Sequence, residues 1–182
     1  EIDRVTTEKI CKENGLVPLQ DKTNDDLKYT RNKIRKTIFP LLKEINPKKL
    51  LELPVAEEMQ MGITTGLALD GNIPVSIFPR WNFVLLAMNQ LINHLDKVNI
   101  MSNNGFKTKA IIRTGVGSQK PLHPQYQHIG DFTDMVRKMC SSLDVIQLNE
   151  PEDIFPSYKK ALDRDDGRST ILVEFGDYHN EK

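Results

Sequence analysis

Three groups of residues have the types and the spacing to do chemistry. Glu57 follows a short apolar run that ends at Leu53-Pro54, and it stands at the predicted start of a helix. A carboxylate in that place either shares a proton with a bound group or simply faces the positive end of the helix dipole. The second group is Pro79-Arg80-Trp81-Asn82-Phe83, directly after a predicted strand. Its aromatics either stack on a flat ring or pack into the core. The third is the loop after Arg113, which carries His123, Tyr126 and His128. A loop histidine is an acid, a base or plain surface. All three groups follow strands, and open parallel sheets bind ligands beyond the carboxyl ends of their strands. The sequence holds no P-loop, GxGxxG, HExxH, GxSxG or metal-spaced Cys/His array. Classical nucleotide-binding and hydrolase readings therefore have little support.

The elements that must position these residues follow from the residue pattern. Residues 49–53 predict a strand stopped by Pro54. Residues 57–70 predict a helix with Gly62 and Gly66 four apart and Gly71 as its terminator. Strands are expected at 73–78, 109–113, 144–148 and 170–175, with helices at 83–96, 132–140 and 151–163. The Gly/Pro-rich stretch 114–130 is too long for a tight turn and reads as a functional loop. Strands alternating with helices imply an α/β fold, a mainly parallel sheet flanked by helices.

Before residue 50 the texture is helical. Thr6-Thr7-Glu8 opens a short helix stopped near Asn14-Gly15. Thr23-Asn24-Asp25-Asp26 caps a longer one, with Leu27, Ile34, Ile38, Leu41 and Ile45 on one face and a bend or restart at Pro40. Arg31, Lys33, Arg35 and Lys36 form a basic cluster, a solvated face by pattern alone.

The chain has 182 residues, 25 Lys+Arg against 25 Asp+Glu, and 38 % hydrophobic residues. That suffices for one core and argues against a nucleic-acid-coating protein or a polybasic membrane binder. The charge is uneven: residues 1–50 hold 12 basic and 8 acidic side chains, the rest 13 and 17. The seam near Asn46-Pro47-Lys48-Lys49 divides a segment 1–49 from a domain 50–182. No apolar run is long enough to span a bilayer, and the charged opening does not read as a signal peptide. The chain opens on Glu rather than Met, which suggests a fragment. Cys11 and Cys140 are far apart, so a reducing cytoplasm is expected.

The stretch LELPVAEEMQMGITTGLALDGNIPVSIFPRWNFVLLAMNQLINHLDK resembles the pyrimidine-binding, transketolase-like module of thiamine diphosphate enzymes. The likeness is strongest to the β subunits of pyruvate and branched-chain 2-oxo acid dehydrogenases. Four motifs carry it in order: Pro54-Val55-Ala56-Glu57, the GxxxGLAxxG helix from Gly62 to Gly71, Phe78 to Phe83, and Gln90-Leu91-Ile92-Asn93. It continues through IIRTGVG, Gln127-His128, Asp144-Val145-Ile146 and ILVEF, and so spans residues 50–176. The resemblance implies that Glu57 hydrogen-bonds N1′ of the cofactor's aminopyrimidine. A proton shared there favours the imino form, whose 4′ nitrogen can take the proton from C2 of the thiazolium. It also implies that Phe83 stacks on the pyrimidine, that Pro79 forms the pocket wall beneath it, and that His128 faces the substrate or acyl-acceptor entrance. The Gly62/Gly66 pair fits a helix packed near a subunit interface.

The family's Gly-Asp-Gly…Asn motif for the diphosphate and Mg²⁺ is absent, and Asp165-Asp166-Gly167 does not fit it. The resemblance thus implies a site completed by an α-type subunit that brings the diphosphate-binding domain and Mg²⁺, in a homo- or hetero-oligomer. The first strand and helix expected before LELPVAEE are also missing. The expected function is the pyrimidine-binding half of a 2-oxo acid dehydrogenase or transketolase-like enzyme, an oxidoreductase or transferase inactive without its partner. A second resemblance covers residues 1–47. Asp21, Thr23, Asn24, Asp26, Tyr29, Arg31, Asn32, Ile34, Arg35 and Pro40-Leu41-Leu42 resemble the end of the catalytic domain of tRNA(Ile)-lysidine synthetases. It implies a tRNA contact through residues 21–42, without the adenylation loop. A fusion or a fragmentary gene product would join the two. The alternatives to the thiamine reading are a tRNA-associated module and a catalytically inert interaction domain.

Overall fold

The structure is a computed structural model that describes residues 4–17, 36, 40, 49–117, 119 and 123–176. The chain divides into two compact units, Glu1–Glu52 and Leu53–Lys182. In the first, α1 spans Arg4–Glu13, and the chain leaves it at Gly15, whose φ is +65°. That matches the expected stop at Asn14-Gly15. Apart from Lys36 and Pro40, residues 18–48, with the expected long helix and its Arg31/Arg35 cluster, lie outside the described residues.

The second unit is built on four parallel strands in the order β1-β2-β4-β3. In chain order they alternate with helices: α2 Glu57–Leu69, β1 Val75–Ile77, α3 Trp81–Val84, α4 Val98–Met101, β2 Ile111–Val116, α5 Thr133–Met139, β3 Asp144–Gln147, α6 Ile154–Asp163 and β4 Thr170–Phe175. This is the α/β sheet flanked by helices that the alternating pattern predicts. β4 lies between β2 and β3, so both its edges are paired, and with side chains packed on each side of the sheet its almost unbroken apolar run is buried from Thr170 to Glu174. On one side of the sheet Ile112, Ile171 and Val173 pack with Met61, Phe78, Trp81, Val84, Leu91, Leu95 and Val136. On the other, Ile111 and Leu172 pack with Leu148 and Ala161, under Ile154 and Tyr158 of α6.

The α2 helix ends as its sequence dictates. Gly71 adopts φ +85°, its N–H donates to the Ala68 carbonyl, and the Asn72 N–H reaches back to Leu67. These two bonds satisfy carbonyls the last turn would otherwise orphan, and a side chain at Gly71 would strain that backbone.

Three expectations need correction. Residues 50–54 form no strand: Leu51 and Glu52 are exposed, and Pro54 has no N–H to give a ladder. Among the described residues β1 is therefore an edge, with Val75 and Ile77 exposed on the face opposite Ser76. The strand expected at 109–113 pairs instead from Ile111, opposite Thr170, through Val116, opposite Phe175.

The helix expected at 83–96 starts earlier, at Trp81, and changes pitch along its length. A 3₁₀ turn at Leu85–Ala87 and a π-helical segment at Gln90–Leu95 separate α3 from α4. The wider segment closes with the Asp96 N–H on the Leu91 carbonyl. It delivers Asp96, wholly buried, to the loop before β3. There its carboxylate accepts from the backbone N–H groups of Ser141 (2.8 Å), Ser142 (2.8 Å) and Leu143 (2.8 Å) and from the Lys97 ammonium (2.7 Å). Burial pushes this carboxyl up, but the bonds from Lys97 and the three amides outweigh it and hold Asp96 below the ordinary carboxylate range.

Candidate functional site

At the amino ends of β3 and β4 the polar chemistry is closed on itself. Arg164 pairs with Asp144 (3.0 Å) and Asp166 (2.7 Å), and Arg168 pairs with the same two carboxylates. Arg164, the leading cause, and Arg168 hold the Asp166 carboxyl well below its usual range. On the α6 face, the buried Glu174 accepts from Arg113 Nη2 (2.5 Å) and from the Tyr158 hydroxyl (2.6 Å). Burial first and the hydrogen bond to Glu174 second push that phenol up, so it stays a neutral donor.

The carboxyl ends of β1 and β2, on the side of the large core, differ. Phe83 is half-buried on α3, and one face of its ring meets the imidazole of His128, centroids 5.5 Å apart and planes 23° from parallel. Phe83 also packs against the core cluster. Three buried polar atoms have no hydrogen-bond partner among the described residues: Asn82 Oδ1, Thr114 Oγ1 and His128 Nδ1. Asn82 adjoins Phe83 in the chain, and His128 touches its ring. Thr114 shares a sheet face with Ile112, which lies in the same core cluster as Trp81. Buried polar atoms without partners are uncommon in folded proteins, because each costs about 1–3 kcal/mol. Their presence on one side of the sheet, at the end where ligands bind, marks this as the candidate site.

The surroundings are fixed by a hydrogen-bonded frame. Arg80, the residue before α3, donates from Nη1 to the carbonyl of Gly117 (2.8 Å), just past β2, and to that of His128 (3.0 Å). The indole N–H of Trp81 donates to Thr133 Oγ1 (3.0 Å), whose hydroxyl donates to Asp131 Oδ1 (2.6 Å). Asp131 also accepts from Gln147 at the end of β3 (3.0 Å). Gly130 leaves the space that Phe132 fills: a Cβ there would lie 2.6 Å from the Phe132 ring. The chain thus ties the ends of β1, β2 and β3 together around Phe83.

The four residues singled out in the sequence fall as follows. Phe83 and His128 are brought into ring contact. Pro79 is exposed, directly after β1 and Phe78. Glu57 is the first residue of α2 and half-buried. One turn on, Gln60 donates to Ser76 Oγ (3.0 Å) and to the Ile77 carbonyl (3.0 Å), which ties this end of α2 to the carboxyl end of β1. No contact joins Glu57 to Phe83 or His128 among those described. Arg80 and Asn82 stand in the segment 79–83 singled out for its aromatics, but neither they nor Thr114 had a role legible in the sequence, because those roles depend on partners 30 or more positions away or on having none. His123 stands edge-on to Tyr126, and both are exposed.

An aromatic face bordered by unmet acceptors and donors suits a flat, polar heterocycle. The residues for a metal are not there: no group of three or more His, Cys, Asp or Glu side chains is placed to hold an ion among the described residues. Nor is any helix among them long and apolar enough to cross a membrane.

No known protein-family model matches the chain. Individual proteins match parts of it. A stretch of 86 residues is 27 % identical to the pyruvate dehydrogenase E1 component subunit beta of Rickettsia bellii, covering 47 % of this chain and 26 % of that one. Another alignment, over 73 residues, is 36 % identical to the pyruvate dehydrogenase E1 component subunit beta of Chaetosphaeridium globosum, covering 39 % and 22 %. A stretch of 62 residues is 42 % identical to the tRNA(Ile)-lysidine synthase of a Nostoc strain, covering 34 % and 18 %. The chain spans about a quarter or less of the length of these relatives. Its likeness is thus partial, at low to moderate identity, and to two different kinds of protein.

Proposed function

We propose that this chain supplies the pyrimidine-holding half of a thiamine diphosphate-dependent enzyme. It would act on 2-oxo acids, or on ketoses in the manner of transketolase, together with an α-type subunit. The observation that carries the reading is the Phe83 ring at the carboxyl ends of the strands, among buried polar atoms that lack partners. The partial likeness to E1 beta subunits supports it. When bound, the cofactor supplies a carbon nucleophile for attack on a carbonyl.

The residues present suit the pyrimidine and not the metal-bound diphosphate. Phe83 offers the ring platform, and Pro79 the wall beside it. Glu57, at the positive end of α2, holds a proton at N1′ of the ring; His128 faces the substrate or acyl acceptor. In this reading the diphosphate and Mg²⁺ would be held by the partner, as the partial likeness to E1 beta subunits suggests. Catalysis then requires an oligomer.

The test is reconstitution with an α-type subunit that carries the diphosphate-binding domain. Thiamine diphosphate should bind only to the complex, and 2-oxo acid decarboxylation or ketol transfer should follow. Glu57→Gln should retain binding and lose about 10²- to 10⁴-fold in turnover, the usual worth of a positioned acid–base group. Undiminished turnover by the glutamine variant rejects the assignment. No turnover with any such partner leaves an inert interaction domain.

The likeness to a tRNA(Ile)-lysidine synthase favours a second reading, a tRNA contact through residues 21–42. Salt-dependent tRNA binding that weakens when Arg31 and Arg35 are both changed to alanine would support it, and no binding at low salt would dispose of it.

A further inference from the structure

The imidazole of His128 lies on a face of the ring proposed above as the platform for a planar ligand. What keeps it there is visible in the backbone. One guanidinium nitrogen of Arg80 donates both to the Gly117 carbonyl at the end of β2 and to the carbonyl of His128 itself. Arg80 stands three residues before Phe83, at the start of the same helical stretch. The group that fixes the histidine's backbone and the ring that receives its side chain thus share one rigid element. A planar guanidinium presents several donors in a fixed fork, which a flexible ammonium cannot reproduce.

We propose that Arg80 is a positioning residue: by clasping the Gly117 and His128 carbonyls it seats the His128 imidazole on Phe83, where that ring holds the place of a planar ligand. A bound heterocycle must then exchange with the chain's own imidazole. An aromatic pair is worth about 0.5–1.5 kcal/mol beyond its buried area, so removing the competitor should tighten ring binding about two- to tenfold. The positioning step stands on the geometry alone; the competition rests on the reading of Phe83 as the platform.

The experiment uses the full chain with ¹³C-labelled histidine. In the wild type the His128 ring protons should resonate upfield of an exposed histidine, shifted by the Phe83 ring current. Phe83→Leu should abolish the shift, and Arg80→Gln should move it toward the exposed position, with Trp81 fluorescence reporting an intact fold. Arg80→Lys should keep part of the shift, and it carries the comparison if the glutamine variant does not fold. A His128 signal unmoved in folded Arg80 variants overturns the positioning, and one unmoved by Phe83→Leu overturns the stack. The free 4-amino-2-methylpyrimidine half of thiamine is then titrated into wild type and His128→Ala, each assembled with the α-type subunit. Tighter binding by the variant supports the exchange. Equal binding overturns the exchange and leaves the platform standing; binding to neither form overturns both, while the Arg80 result stands on the unliganded spectra.

Discussion

Changing Asp96 to asparagine tests whether one buried carboxylate holds the entry into β3. The two oxygens of the wild-type side chain are fully buried and accept from the N–H groups of Ser141, Ser142 and Leu143 and from Lys97. With its oxygen in the Oδ1 place, asparagine keeps the bonds from Ser142 and Leu143 and the longer one from Ser141 (3.1 Å), but turns an NH₂ toward the Lys97 ammonium. The Lys97 bond to a charged group is lost, at about 1.5–3 kcal/mol, so the variant should lose about that much at neutral pH. That is a large share of the roughly 5–15 kcal/mol by which domains are stable. The pH dependence has a definite sign. The folded state holds this carboxyl below its unfolded value near 3.8. Its contribution is therefore full above about pH 4 and drains away as pH falls through the folded value. Urea unfolding followed by Trp81 fluorescence, at about pH 7 and again near pH 3, measures both quantities. The deficit of Asp96→Asn should be largest at pH 7 and smaller at pH 3. A variant within about 0.5 kcal/mol of wild type at pH 7, the range of ordinary surface changes, refutes the reasoning. So does a deficit that ignores pH.

Two other outcomes follow from the same frame. Burial, and next the nearby Asp96 charge, push the Cys140 thiol up to about 12, so iodoacetamide at about pH 8 should modify it far more slowly in the folded chain than in urea. Equal rates would show that the thiol is not held in that environment. Thr133→Val removes the acceptor of the buried Trp81 N–H, which should cost about 1–3 kcal/mol and shift the indole emission; a variant of unchanged stability would show that the indole finds another partner.

The sheet was legible because its strands are nearly pure pattern. The run Thr170–Phe175 is apolar at almost every position, as a strand covered on both faces must be, and its predicted and observed ends coincide. The helix end at Gly71 was equally plain, since few residues tolerate φ +85°. Residues 49–53 misled for the reason that β4 did not. A short apolar run beside a proline looks like a strand whether or not a neighbour exists to pair with it, and pairing is a property of the whole sheet. The change of pitch between Trp81 and Met101 was also hidden. A π turn is chosen by where Asp96 must arrive, some 45 residues from its amide partners.

The candidate site was legible only as residue types, and the reason is energetic. A histidine, an asparagine and a threonine in a sequence carry no sign of whether their polar atoms are matched once buried. At the amino ends of β3 and β4 the fold pairs Arg164 and Arg168 with Asp144 and Asp166, and the account closes. At the carboxyl ends of β1 and β2 it leaves Asn82, Thr114 and His128 short. Each such atom disfavours folding by about 1–3 kcal/mol, and nothing in the core requires a polar side chain at Thr114: valine would fill nearly the same volume between Ile112 and Val116. A fold selected for stability alone would have no reason to keep the three, whereas a fold that must present donors and acceptors to a ring has every reason. The cost borne at one end of the sheet and avoided at the other is what singles out the end proposed to receive a ligand.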